Sequence, residues 1–123
     1  MSLLYATHAR IHLGNIRDNL LALRAAVGAA RKVLVAVKAN GYGHGAVAVS
    51  RMAEATGAAD WLGVATVPEG IQLREAGLSL PILKLGPTFP GEMTAAVGAG
   101  ITLAVCSAEE AGAAADAARE AGR

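Results

Sequence analysis

Aromatic residues are scarce in this 123-residue chain: one Trp, two Tyr and one Phe, 3% of the sequence. A platform of several rings for stacking nucleic-acid bases is thereby excluded. Charge is equally sparse. Eleven Lys and Arg against ten Asp and Glu leave a formal net charge of +1, so no basic field draws a phosphate backbone. Arg31-Lys32 is the one adjacent basic pair and reads as a solvated loop. A single cysteine, Cys106, excludes an internal disulfide and a cysteine-rich zinc site. No apolar run approaches the ~20 residues of a membrane helix. Met1 to Tyr5 lack the basic start, long apolar stretch and cleavage site of a signal peptide. The expectation is a cytoplasmic protein with no nucleic-acid or membrane partner.

What the chain has instead is Ala, Val, Leu and 15 Gly in short segments. Hydrophobic residues make up 54% of it and the mean hydropathy is +0.42. Such a composition argues against disorder, and the length suffices for one domain with its own core.

Residues 4–12 alternate loosely and predict a short strand. Leu13, Ile16, Leu20, Leu23 and Val27 have the spacing of a helix from about 14 to about 28, with Asn15 a candidate cap and Gly28 near its end. Val33 to Val37 is a continuous, mostly β-branched apolar run, as in a parallel strand covered on both faces. A helix over 46–56 follows, then a strand at Trp61–Thr66. Pro68-Glu69 opens the next helix, with proline at its start and an acid at the positive end of its dipole. Strands are predicted at 80–85 and 101–105, with a short helix from Pro90 to about Val97 between them. Ser107 with Glu110 three residues on has the pattern of a capping box before a final alanine-rich helix. Alternating strands and helices mean a parallel sheet. By pattern alone this reads as a small open α/β sheet, because a (β/α)8 barrel needs eight units.

The chemistry concentrates in Val37-Lys38-Ala39-Asn40-Gly41-Tyr42-Gly43-His44-Gly45. A lysine ends a parallel strand at the ligand-binding edge of the sheet. Apolar neighbours there would disfavour its ammonium form and favour a nucleophilic amine able to form a Schiff base. Three glycines would let backbone N–H groups approach an anion. Tyr42 offers a hydroxyl, and the next helix aims its positive end at the same place. A phosphorylated aldehyde, pyridoxal 5′-phosphate, suits this set. The bland alternative is a tight turn beside a solvated lysine. The spacing fits neither a Walker A loop nor a dinucleotide fingerprint.

The same nine residues closely resemble the cofactor-attachment signature of the alanine racemases, which are pyridoxal-phosphate enzymes of fold-type III. Residues 9–23, Glu69-Gly70 with Leu73 to Gly77, and Pro81 to Leu83 with Leu85-Gly86 resemble further segments of that family. The resemblance covers essentially the whole chain. It implies the N-terminal half of a (β/α)8 barrel of the TIM type: about four parallel β/α units preceded by a short strand and helix. Residues 1–123 would form that part, with the family's C-terminal β-rich domain absent. It implies that Lys38 holds pyridoxal 5′-phosphate and acts as a catalytic base, and that Tyr42 hydrogen-bonds the phosphate. The implied activity interconverts L- and D-alanine, supplying D-alanine for peptidoglycan, in a homodimer. By the same resemblance the second base lies beyond this chain, which would then be inactive alone. The alternative is a non-catalytic pyridoxal-phosphate-binding barrel of cofactor homeostasis. No metal site is expected.

Other residues carry milder expectations. Lys84 is expected to face the helices and snorkel. Cys106 is expected to be buried and inert, and Trp61 to pack between sheet and helix. Glu109-Glu110 is expected to serve the last helix through its dipole. His8 and His12 share a face without further ligands.

Overall fold

The computed structural model describes residues 6–123. The elements are α1 (Leu13–Val27), β1 (Leu34–Ala36), α2 (Lys38–Tyr42), α3 (Ala46–Thr56), β2 (Trp61–Val64), α4 (Val67–Glu75), β3 (Ile82–Lys84), α5 (Pro90–Gly98), β4 (Ile101–Leu103) and α6 (Ala108–Glu120). The four strands are parallel and lie in the order β1-β2-β3-β4. Sequential order decides between the two architectures. Right-handed crossovers that always step to the next strand place every helix on one face, as in a barrel. A doubly wound sheet must reverse direction. The chain is thus four consecutive barrel-type units, as the resemblance implied, and not the open sheet that pattern alone favours.

Two sets of side chains alternate across the register. Leu62 pairs with Ile82, and Ile82 with Ile101; all three are buried, Leu62 and Ile82 completely. They meet the helices: a Cβ on Gly70 of α4 would touch both Ile101 and Ile82. Fully burying such a side chain contributes ~1.5–3 kcal/mol. Leu34, Gly63 and Leu83 belong to the opposite face, where Leu34 is 39% exposed. The sheet is therefore dry on its helical side and open on the other.

At the amino-terminal end of the strands, charged side chains tie units together. The Arg74 guanidinium donates to the carbonyls of Leu78, Leu80, Ala99 and Gly100. Glu54 accepts from the N–H groups of Ser79 and Leu80. Asp60 accepts from Val33 N and from Arg24 of α1. In barrels this end holds the fold together, and the opposite end carries function.

Several expectations are corrected. Residues 6–12 form no strand: they are exposed, and among the described residues β1 pairs with β2 alone; the rest of that predicted strand, residues 4 and 5, lies outside the described residues. Asn15 sits inside α1, whose N-cap is His12 with no side-chain bond. Trp61 pairs with Leu34 and so lies on the open face. Cys106 is exposed, since β4 ends at Leu103 and the chain leaves the core before reaching it. Lys84 does face the helices, but it is 5% exposed. Instead of snorkelling to water, its ammonium donates to the carbonyls of Pro87 and Gly86.

Candidate functional site

Lys38 follows β1 directly at the carboxyl end of the sheet. Strand alternation carries the open-face parity from Leu34 and Ala36 onto it. The chain then takes an uncommon course. Ala39, Asn40, Gly41 and Tyr42 all have positive φ, between 51° and 64°, so α2 is a turn of left-handed helix. For L-residues this costs roughly 1–2 kcal/mol apiece. Such strain persists only where the surroundings impose it.

The surroundings do so through three side chains. Asn40 Oδ1 accepts from Ala46 N at 3.0 Å, capping α3 from within the turn. His44 Nδ1 lies 3.1 Å from the carbonyls of Gly41 and Tyr42. The Glu69 carboxylate, arriving from the first turn of α4, accepts from Ala39 N at 2.8 Å. Its other oxygen accepts from Ala65 N at 2.8 Å and Thr66 N at 3.1 Å. Burial opposes ionisation of Glu69, but those N–H donors and the Thr66 hydroxyl outweigh it and hold the carboxyl below its ordinary value.

One sequence expectation fails here. The glycine N–H groups do not form an open anion cradle. Gly41, Gly43 and Gly45 donate to the carbonyls of Val37, Ala39 and Asn40, and Asn40 has taken Ala46 N at the start of α3. The glycines serve the geometry of the turn. Gly43 and Gly45 have φ of 82° and 91°, and a Cβ on Gly41 would stand 3.3 Å from Ala46 N.

The turn does bring Lys38 and Tyr42 together. Lys38 Nζ stands 5.9 Å from the centroid of the Tyr42 ring, within cation–π range. Lys38 is half-buried and Tyr42 is 60% exposed. The salt bridges among the described residues are Arg17–Asp18, Arg24–Asp60 and Arg119–Asp116, so no carboxylate engages the Lys38 ammonium. His8 and His12 are both exposed, and no group of three metal-ligating side chains gathers among the described residues. No described helix is long and apolar enough to cross a membrane. A cleft of ~640 Å³ lined by Leu23, Val27 and residues 31–34 lies at the opposite end of β1 from Lys38.

The sequence profile described as alanine racemase, N-terminal domain, matches residues 11–123. The chain belongs to this family. An alanine racemase of Cutibacterium acnes is 57% identical over 99 residues, covering 80% of this chain and 26% of that protein. A solved alanine racemase of Clostridium difficile 630 superposes with a TM-score of 0.87 at 37% identity, covering 92% of this chain and 29% of the other. A histidine racemase of Leuconostoc mesenteroides superposes with a TM-score of 0.76 at 30% identity, covering 89% and 29%. The chain thus spans about a quarter to three-tenths of the length of these relatives. All three are racemases, so the cofactor-homeostasis reading gains nothing from them.

Proposed function

We propose that this chain is the part of a pyridoxal-phosphate-dependent alanine racemase, residues 1–123, that carries the cofactor lysine, Lys38. The observation that carries the reading is the pairing of Lys38 and Tyr42 on one left-handed turn at the carboxyl end of β1. A primary amine free of carboxylates beside an exposed phenol fits a cofactor with an aldehyde and a phosphate. Lys38 would hold the aldehyde end, and the Tyr42 hydroxyl would donate to the phosphate. With the glycine N–H groups occupied, the phosphate depends on Tyr42 more than the sequence led one to expect.

The bound cofactor would withdraw electrons from the substrate α-carbon and so make its proton acidic. Lys38 Nζ would take that proton from one face, or return one to the same face. Inversion requires a second acid–base group on the opposite face, since one base alone returns the proton where it found it. This chain offers Lys38 as one base. We assign the other to sequence of the kind that makes up the remaining three-quarters of the Cutibacterium relative, so residues 1–123 alone are inactive. The likeness to alanine racemases supports alanine as substrate, D-alanine supply for peptidoglycan as the role, a homodimer as the assembly and the cytoplasm as the place.

Titrating pyridoxal 5′-phosphate into the protein and into Lys38→Ala, with borohydride trapping and peptide mass spectrometry, tests the assignment. The expected result is a cofactor adduct on the Lys38 peptide and its loss in the variant. An adduct on another lysine, or equal binding by Lys38→Ala, refutes it. Tyr42→Phe is expected to weaken binding about tenfold, as loss of one hydrogen bond to a charged acceptor implies.

A further inference from the structure

Two glutamates at the carboxyl end of the sheet share an unusual pair of bonds, to which Glu69 adds a third from Thr66 N. Each sits at the third position of a helix whose cap is Thr66 or Ser107. Glu69 accepts from Ala65 N in its own strand–helix loop, and its other oxygen reaches Ala39 N in the loop of the preceding unit. Glu110 accepts from Cys106 N in its own loop at 2.7 Å, and its other oxygen reaches Thr88 N in the preceding loop at 2.5 Å. A capping box asks a third-position glutamate only for a bond to the N-cap N–H, and a bond to the preceding loop is no part of it. That further bond fastens one catalytic-edge loop to the next.

The two fasteners hold different cargo. Glu110 holds Thr88, on a loop with no proposed site residue. Glu69 holds the N–H of the residue directly after Lys38, in the left-handed turn that continues to Tyr42. Ala39 N is the turn's first amide, and its partner is a side chain 30 residues away. We infer that Glu69 is a positioning residue for Lys38: its carboxylate clamps the Ala39 amide and so fixes the backbone from which Lys38 and Tyr42 project. The inference rests on the proposed role of Lys38 and adds to it the residue that sets its geometry. An ionised carboxylate suits the task because both oxygens only accept. A Gln in its place would turn an NH2 toward one of the N–H donors, so Glu69→Gln is disruptive despite its matched shape.

The paired motif supplies its own control. Glu69→Gln and Glu110→Gln, made in the protein in its cofactor-binding form, break equivalent bonds on neighbouring loops. Three quantities are measured: thermal stability, hydrogen exchange at the Ala39 amide, and the dissociation constant for pyridoxal 5′-phosphate. Both variants are expected to lose similar stability. Glu69→Gln alone is expected to speed Ala39 exchange at least tenfold and weaken the cofactor about tenfold, with Glu110→Gln within twofold of wild type on both. Equal effects of the two variants on cofactor affinity would reduce Glu69 to a helix cap and overturn the inference. So would faster Ala39 exchange with unchanged affinity. Where a Gln variant is insoluble, Glu69→Asp against Glu110→Asp repeats the comparison, since the shorter acid cannot span both loops. If Lys38→Ala binds the cofactor as wild type does, the proposed role of Lys38 falls first, and that outcome is separate from either result at Glu69.

Discussion

Replacing Gly70 by alanine tests how closely α4 must approach the sheet to deliver Glu69. An added Cβ would stand 2.6 Å from Ile101 Cδ1, 3.2 Å from Ile101 Cγ1 and 3.6 Å from Ile82 Cγ2. Ordinary carbon contacts lie near 3.5–4.0 Å. Ile101 is 5% exposed and Ile82 is fully buried, so Ile101 has little room to turn aside. Overpacking of this kind costs about 1–3 kcal/mol, and alanine returns about 1 kcal/mol of helix propensity over glycine. The net expectation is a loss of about 1 kcal/mol. Ile101→Val removes the offending methyl and alone costs about 0.5–1.5 kcal/mol. In the double variant the new Cβ fills the vacated space, and the pair should be coupled favourably by about 1 kcal/mol. Urea unfolding of the four proteins, in a soluble form that carries these residues, measures the cycle. Stabilisation by Gly70→Ala, or additivity within about 0.3 kcal/mol, would refute the close-approach account.

Three further outcomes are expected. Asp60, Glu69 and Glu110 are all held below their ordinary values, Asp60 by Val33 N–H and Arg24 and Glu110 by the N–H groups of Thr88 and Cys106, with N–H donors outweighing burial at Glu69. Groups with depressed folded values contribute stability that is fully present above the unfolded values near pH 4 and is lost as pH falls through the folded ones. Thermal melts should therefore fall steeply below about pH 4, and less so in Glu69→Gln; a wild-type curve flat to pH 2 contradicts the geometry. At the left-handed turn, Ala39→Gly should be neutral or stabilising by up to about 1 kcal/mol, since relief of strain opposes glycine's entropy. Gly41→Ala should cost about 1 kcal/mol or more by that strain and its approach to Ala46 N; a raised melting temperature for Gly41→Ala would contradict the turn. Among the described residues β1 and β4 are the edge strands of the sheet, and its open face bears the partly exposed Leu34. The chain by itself is expected to self-associate or melt without cooperativity, and a cooperative monomer in size-exclusion chromatography and circular dichroism would count against this.

Much of the architecture was legible because local signals agree with it. Hydrophobic period places α1, α3 and the four strands within a few residues, and the cap Ser107 lies at the start of α6, whereas Thr66, expected to end a strand, caps α4. The first predicted strand failed for a non-local reason. Alternation at residues 6–12 needs a neighbouring strand, and a sequence segment carries no information about its neighbour. The exposure of Cys106 is not legible locally, because it depends on β4 ending at Leu103. Lys84 was placed on the correct face, but the carbonyls of Gly86 and Pro87 that keep it buried belong to the path of the following loop.

At the candidate site the division is sharper. Which residues stand there is legible without coordinates: Lys38, Tyr42 and the glycines between and after them, in a spelling specific enough to name a family. The sequence by itself determined the residue types that tolerate positive φ at Gly41, Gly43 and Gly45. It did not determine that Ala39, Asn40 and Tyr42 would join them in a left-handed turn, because each alone prefers the right-handed region. Only the tertiary structure imposed that, by bringing α4 against the sheet so that Glu69 meets Ala39 and by setting Asn40 beneath α3. The N–H groups of Ala39, Gly41, Gly43 and Gly45 are consumed in the process, which leaves the weight of the site on the phenol of Tyr42 and the amine of Lys38.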